Sequence, residues 1–176
     1  MRNILVVVDM QKDFVDGSLG TKEACGIVPD VVKEISGDYD EVYFTMDTHG
    51  ENYMETLEGK NLPVVHCVKE TDGWKLDRQI EKAMKKLPHY VIVEKPTFGS
   101  EELIRILKEE NEKEEIGSIT LVGLCTDICV VSNALLCKAA FYEKDIAVKS
   151  HCCAGVTVHS HEAALETMRM CQIRVI

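Results

Sequence analysis

Short apolar runs alternate with amphipathic stretches along the whole chain. Asn3 to Val8 (NILVVV) has no polar interruption after its first residue, the pattern of a strand buried on both faces. Glu41 to Met46, Tyr90 to Glu94, Ser118 to Gly123 and Asp145 to Lys149 are further runs of strand length, and Cys171 to Ile176 closes the chain as a strand. Helical patterns lie between them. Pro29 suits the first position of a helix that runs to Ser36 and stops at Gly37. Lys75 to Leu87 places Leu76, Ile80, Met84 and Leu87 on one stripe. Ser100 is a candidate N-cap, with Glu101 and Glu102 at the positive end of the helix dipole and Leu103, Ile104, Ile106 and Leu107 as the apolar face. Glu109 to Glu115 reads as that helix's solvated end and turn. Asp127 to Tyr142 is unusually apolar and predicts a buried helix. Ser160 to Met170 predicts another, with Ala164 and Met168 in register. Residues 47 to 73 lack periodicity and read as a long loop with a short strand around Val64 to Val68. A loop of this length is more often functional than idle.

This alternation implies an α/β fold with a mainly parallel sheet covered on both faces, in a single domain spanning residues 1–176. In such sheets ligands bind beyond the carboxyl ends of the strands. Chemically able residues stand there: Asp9 after the first strand, Asp47 and His49 after the second, Lys95 after the Tyr90 run, and Cys125 to Cys129 after the Ser118 run. In a parallel sheet they converge on one rim.

Charge and composition narrow the partners. A formal net charge of −10 with no basic stripe excludes a phosphate-backbone partner. No apolar run approaches the length of a membrane helix, and Ile4 to Val8 is too short for a signal-peptide core. A cytoplasmic location is therefore expected, with the eight cysteines as free thiols.

Cys129 is the sharpest candidate among them. It falls in the first helical turn after Thr126 and Asp127, where free N–H groups and the helix dipole should lower its pKa, and a neighbouring Lys95 should lower it further. A carboxylate at Asp9 could take the thiol proton and return it to a leaving amine. The amides of Cys125 and Cys129 could flank an oxyanion.

The stretches VVVDMQKDF (6–14), HCVKETDGW (66–74), EKPTFGS (94–100), GLCTDICV (123–130) and CCAGVTVHSHEAALETM (152–168) resemble the isochorismatase-like cysteine hydrolases, nearest to the nicotinamidase branch. The resemblance implies a three-layer, Rossmann-like α/β/α sandwich with a six-stranded parallel sheet. It implies a catalytic triad of Asp9, Lys95 and Cys129, and a cis peptide at Leu124–Cys125 that aims the Cys125 and Cys129 amides at the substrate oxygen. Substrate contacts fall on Phe14, Phe98 and Leu124. It further implies a divalent metal, Zn²⁺ or else Mn²⁺ or Fe²⁺, on Asp47, His49 and His66, with Glu58 as the fourth ligand and Glu55 as the alternative. The implied reaction is hydrolysis of a small planar amide, nicotinamide to nicotinate and ammonia, through a thioester on Cys129. Family members commonly self-associate, so a homo-oligomer is expected. One departure stands out: Leu62, Pro63 and Val65 occupy the region where many nicotinamidases carry a ring-sandwiching Trp.

Rival readings are hydrolysis of a carbamoyl, ureido or isochorismate-like compound within the family, and a non-enzymatic ligand-binding or redox-sensing protein on the same fold. Trp74 is read evenly as pocket wall or loop packing. His151, His159 and His161 are read as surface or packing residues, Cys152 and Cys153 as packing residues, and Cys125 as a thiol open to oxidation beside Cys129.

Overall fold

The first strand carries five consecutive residues with no solvent exposure, Ile4 to Val8, and it lies at the centre of the sheet. The computed structural model describes all residues 1–176. In chain order it contains β1 (Arg2–Val8), α1 (Lys12–Val15), α2 (Lys22–Ile35), β2 (Glu41–Asp47), α3 (Leu57–Asn61), α4 (Arg78–Met84), β3 (Val91–Lys95), α5 (Glu101–Lys113), β4 (Ile116–Leu124), α6 (Val131–Ala140), β5 (Asp145–Ala154), α7 (Val158–Met170) and β6 (Arg174–Val175). The strands pair in the order β3-β2-β1-β4-β5-β6, and every pairing is parallel.

Alternate residues of the strands feed two cores. Leu5, Val7, Phe44, Val122 and Cys152 pack with α2 and α4 on one face. Ile4, Val6, Val8, Leu121 and Cys153 pack with α5, α6 and α7 on the other. Adjacent Cys152 and Cys153 thus enter opposite cores, as the strand's two-residue period requires. The result is the three-layer α/β/α sandwich with a six-stranded parallel sheet.

Several boundaries differ from the periodicity. The first long helix begins at Lys22 rather than Pro29. Its Thr21 N-cap accepts from Ala24 N at 2.9 Å, and Ala24, Ile27, Val28, Val31 and Ile35 form one buried face that carries Pro29 inside the helix. The helix predicted over Lys75 to Leu87 is confined to Arg78–Met84, because Asp77 caps Gln79 and Ile80 and Leu76 bridges back to Gln11. The loop from 47 to 73 holds a 3-10 turn at Tyr53–Glu55 and α3, and the strand expected at Val64 to Val68 reduces to one bridge between His49 and Val68. The helix predicted from Asp127 opens instead with a π turn at Thr126–Val130 that runs into α6.

The chain builds outward from β1 through β2 to β3, then from β4 through β5 to β6 on the other side. The topological switch point therefore lies between β1 and β4, where α/β sheets bind ligands. Gly123 lets these strands meet there: at φ +117° it approaches β1 so closely that a Cβ would stand 2.1 Å from Val8 O.

Candidate active site

Asp9 follows β1 directly, with φ +47°, and its carboxylate has no solvent exposure. Lys95 ends β3 and turns inward, at 1% exposure. Cys129 lies in the π turn after β4. These residues meet. Lys95 Nζ is 2.6 Å from Asp9 Oδ2 and 3.5 Å from Cys129 Sγ, and it donates to Thr97 O at 3.0 Å. Thr45 Oγ1, from β2, donates to the other Asp9 oxygen at 2.7 Å.

Electrostatics departs from the expectation of a depressed thiol. Burial, and next the Asp9 charge, push Cys129 well above the ordinary thiol range, and the Lys95 ammonium opposes them without prevailing. Burial also raises Asp9, helped by Asp47 and opposed by Lys95. Burial disfavours the Lys95 ammonium, yet Asp9 first, and Asp47 with it, raise its pKa and keep it charged. Burial likewise pushes Cys125 up to about 12, which argues against the ready oxidation considered for that thiol.

The Leu124–Cys125 peptide is cis. The Cys125 N–H finds no protein acceptor and is free to donate to a ligand. Cys129 Sγ reaches a cavity of about 190 Å³, below the usual size for drug-sized ligands. Phe14, Phe98, Leu124 and Cys125 line it, as do Leu62 and Val156. Trp74 does not; its Nε1 donates to Thr48 Oγ1 at 2.9 Å, so its place is loop packing.

Asp47, His49, Glu58 and His66 form a second cluster at the same cavity, each offering one ligand atom, all within 4.8 Å of one another. Asp47 Oδ2 is 3.0 Å from His49 Nε2 and 3.5 Å from His66 Nε2, and Glu58 Oε1 is 3.6 and 3.8 Å from the same nitrogens. His66 Nδ1 donates to Val64 O at 2.8 Å, which leaves Nε2 with its lone pair facing the cluster. Asp47 Oδ1 is buried, accepts no hydrogen bond and lies 3.6 Å from the Lys95 ammonium. Two imidazole nitrogens and two carboxylates that converge on one point fit a divalent cation. Glu58 holds the fourth place because Thr56 caps α3, accepting from Gly59 N at 3.0 Å, while Glu55 sits exposed on the preceding 3-10 turn.

Three supporting residues escaped the sequence reading, although the D-x-Q-x-D-F stretch contains two. Gln11 donates to Asp47 O and Trp74 O and accepts from Asp47 N, clamping the end of β2. Asp13 accepts from Cys67 N at 2.8 Å and fixes the segment bearing His66. The third, Thr45, shows only as one polar residue in an apolar strand. His151 and His159 lie exposed, but His161 shares a hydrogen bond with Thr126 Oγ1.

The model of the isochorismatase domain matches residues 3–176. The chain belongs to the isochorismatase family. Among its relatives, the uncharacterized isochorismatase family protein PncA of Bacillus subtilis (strain 168) is 28% identical over 147 residues, 77% of this chain and 78% of that protein. The crystal structure of the nicotinamidase/pyrazinamidase PncA of Bacillus subtilis shares the fold at a TM-score of 0.84 and 22% identity, over 99% of both chains. The pyrazinamidase of Pyrococcus horikoshii, solved in complex with zinc, aligns at a TM-score of 0.80 and 25% identity, over 100% of this chain and 99% of that one. Within this isochorismatase domain, Cys129 lines the same cavity as Asp47, Glu58 and His66 of the four-residue cluster, and Asp9 and Lys95 stand behind it.

Proposed function

We propose that this protein is a cysteine amidohydrolase that converts nicotinamide, or a closely similar small planar amide, to the acid and ammonia. The observation that carries the reading is the meeting of Asp9 and Lys95 with Cys129, which lines a small cavity together with Asp47, Glu58 and His66 of the four-residue cluster. Relatives named nicotinamidase and pyrazinamidase on the same fold support it. No arginine or lysine lines the cavity and the one nearby ammonium is bound to Asp9, so apart from the ion the cluster would hold, no cationic side chain is placed to pair a substrate carboxylate. That favours a neutral amide over isochorismate-like or carboxylated ureido compounds.

In this mechanism the Cys129 thiol gives its proton to Asp9 as sulfur attacks the carbonyl carbon. The raised affinity of Asp9 for a proton suits that step. The amides of Cys125 and Cys129 receive the oxyanion. Collapse of the tetrahedral intermediate breaks the C–N bond, and Asp9 delivers its proton to the departing ammonia. Asp9, again a carboxylate, then draws a proton from the water that cleaves the thioester, and the proton returns to sulfur. Lys95 stays charged throughout and holds Asp9 and Cys129 in register. Asp47, His49, Glu58 and His66 would hold a divalent ion, of which zinc is one choice. When bound, such an ion supplies a Lewis-acid anchor for a pyridine nitrogen, orienting the ring. Phe14 and Phe98 flank that ring, and Leu124 closes the wall.

Ammonia release from nicotinamide tests the reading. Wild type is expected to turn over, and Cys129→Ala to lose about 10³-fold or more in kcat. Equal rates would remove Cys129 as nucleophile, and an inert wild type would remove the amidohydrolase reading.

A further inference from the structure

The turn that carries Cys125 and Cys129 is tied to α7 by a partly buried hydrogen bond that no step above uses. Thr126 has no solvent exposure, and its Oγ1 shares a hydrogen bond with His161 Nδ1 at 2.8 Å. His161 sits in the first turn of α7, where its N–H donates to Thr157 O. A second tie runs beside it: the Asp127 carboxylate accepts from Val156 N at 3.1 and 3.2 Å. Between the two lies Gly155, packed so tightly that a Cβ there would stand 2.9 Å from the Cβ of His161. Gly155 and Val156 also line the cavity. The start of α7 therefore presses on the cavity wall and grips the turn at consecutive residues, Thr126 and Asp127. A threonine in a helical turn commonly bonds back to its own backbone. Here its hydroxyl is spent outward, so the orientation of the turn is fixed from a different element.

We propose that His161 is a positioning residue: through Nδ1 and Thr126 it sets the orientation of the Cys125–Cys129 turn and so aims the two amides at the oxyanion. This rests on the reading of Cys129 as nucleophile and of those amides as oxyanion donors. His161 does not line the cavity and touches no reacting atom. Its loss misdirects donors that act fully only in the transition state. It should lower kcat while leaving KM nearly constant.

The test compares His161→Ala, His161→Asn and His161→Gln. Asn offers a polar group at the δ position that can donate or accept, and Gln offers it one atom farther out. Ala and Gln are expected to lower kcat about 10- to 100-fold, less than full loss of a donor, with KM within about twofold, and Asn to recover most of it. Thr126→Val keeps the buried volume, removes only the hydroxyl, and should give the same loss; adding His161→Ala to it should cost little more. A readout without turnover is inhibition by pyridine-3-carboxaldehyde. The Cys129 thiol adds across its C=O: the S–C bond forms, the carbonyl π pair moves to oxygen, and the thiol proton ends there. That oxygen occupies the oxyanion position, so its Ki should rise with the fall in kcat. Asn no better than Ala, an unchanged Ki, or a kcat and KM that worsen together would overturn the positioning role. If wild type hydrolyses nicotinamide and every His161 variant matches it, only this inference fails. If wild type neither turns over amides nor binds the aldehyde, the reading of the site fails and takes this one with it.

Discussion

Lys95 Nζ lies 2.6 Å from Asp9 Oδ2, and the two side chains are 1% and 0% exposed. Each charge depends on the other for the solvation that water no longer provides. Lys95→Met should therefore cost about 3–5 kcal/mol of stability by leaving Asp9 buried and unpaired. Asp9→Asn should cost less, and the double variant should recover part of the loss. Urea unfolding of the four proteins checks this; additive losses would show that the pair is not coupled.

Because burial and Asp9 raise Cys129, its resting form is the thiol. Alkylation of the ligand-free protein by iodoacetamide should be no faster at pH 7 than that of an ordinary thiol, and should climb about tenfold per pH unit up to pH 9. Peptide mapping of Cys129 at several pH values reads this directly. A fast rate that stays flat across pH 6–8 would mean a thiolate at rest.

The Cys137 thiol on α6 is pushed up to about 12 by burial alone, against 9.0 ordinarily. The folded state then keeps a proton that the unfolded chain begins to lose near pH 9. Stability should fall as pH rises from about 9 toward 12, by of order 1 kcal/mol per pH unit for this group. Denaturation at pH 8, 9 and 10 measures the slope, to which the other buried thiols also contribute, and Cys137→Ala should reduce it by one group's share. An identical slope in the variant would refute the assignment.

Zinc added at 100 times its Kd should stabilise the protein by about 2.7 kcal/mol, and a chelator should reverse the shift. Glu58→Gln or His66→Ala should abolish the stabilisation, while Glu55→Gln should leave it intact. Thermal scans with and without the ion distinguish the two glutamates.

Gln11→Leu strips the hydrogen-bond partners from Asp47 N, Asp47 O and Trp74 O in a buried position. It should cost about 2–4 kcal/mol and weaken zinc binding about 10- to 100-fold, since Asp47 loses its support. Titration of the variant beside wild type tests whether the clamp serves the cluster as well as the fold.

The apolar runs and the residues just past them made the sheet and its functional rim readable. Asp9, Asp47, Lys95 and Cys129 follow apolar runs, and a parallel sheet sends all such positions to one edge. Boundaries were less readable where packing overrode local signals: Pro29 looks like a helix start, but the buried face from Ala24 to Ile35 extends the helix through it. The loop from 47 to 73 was opaque because its order comes from long-range bonds, such as Asp13 to Cys67 N and Gln11 to Trp74 O, rather than from periodicity.

The sequence by itself determined the α/β class, the strand-end residues and the residue types of the Asp47, His49, Glu58 and His66 cluster, since side-chain period and residue chemistry are local properties. Only the tertiary structure brought Glu58 rather than Glu55 beside Asp47, His49 and His66, moved Trp74 off the cavity, buried Cys129 against Asp9 and joined His161 to Thr126. Each of these depends on burial and on distances between residues remote in the chain, which no local pattern encodes.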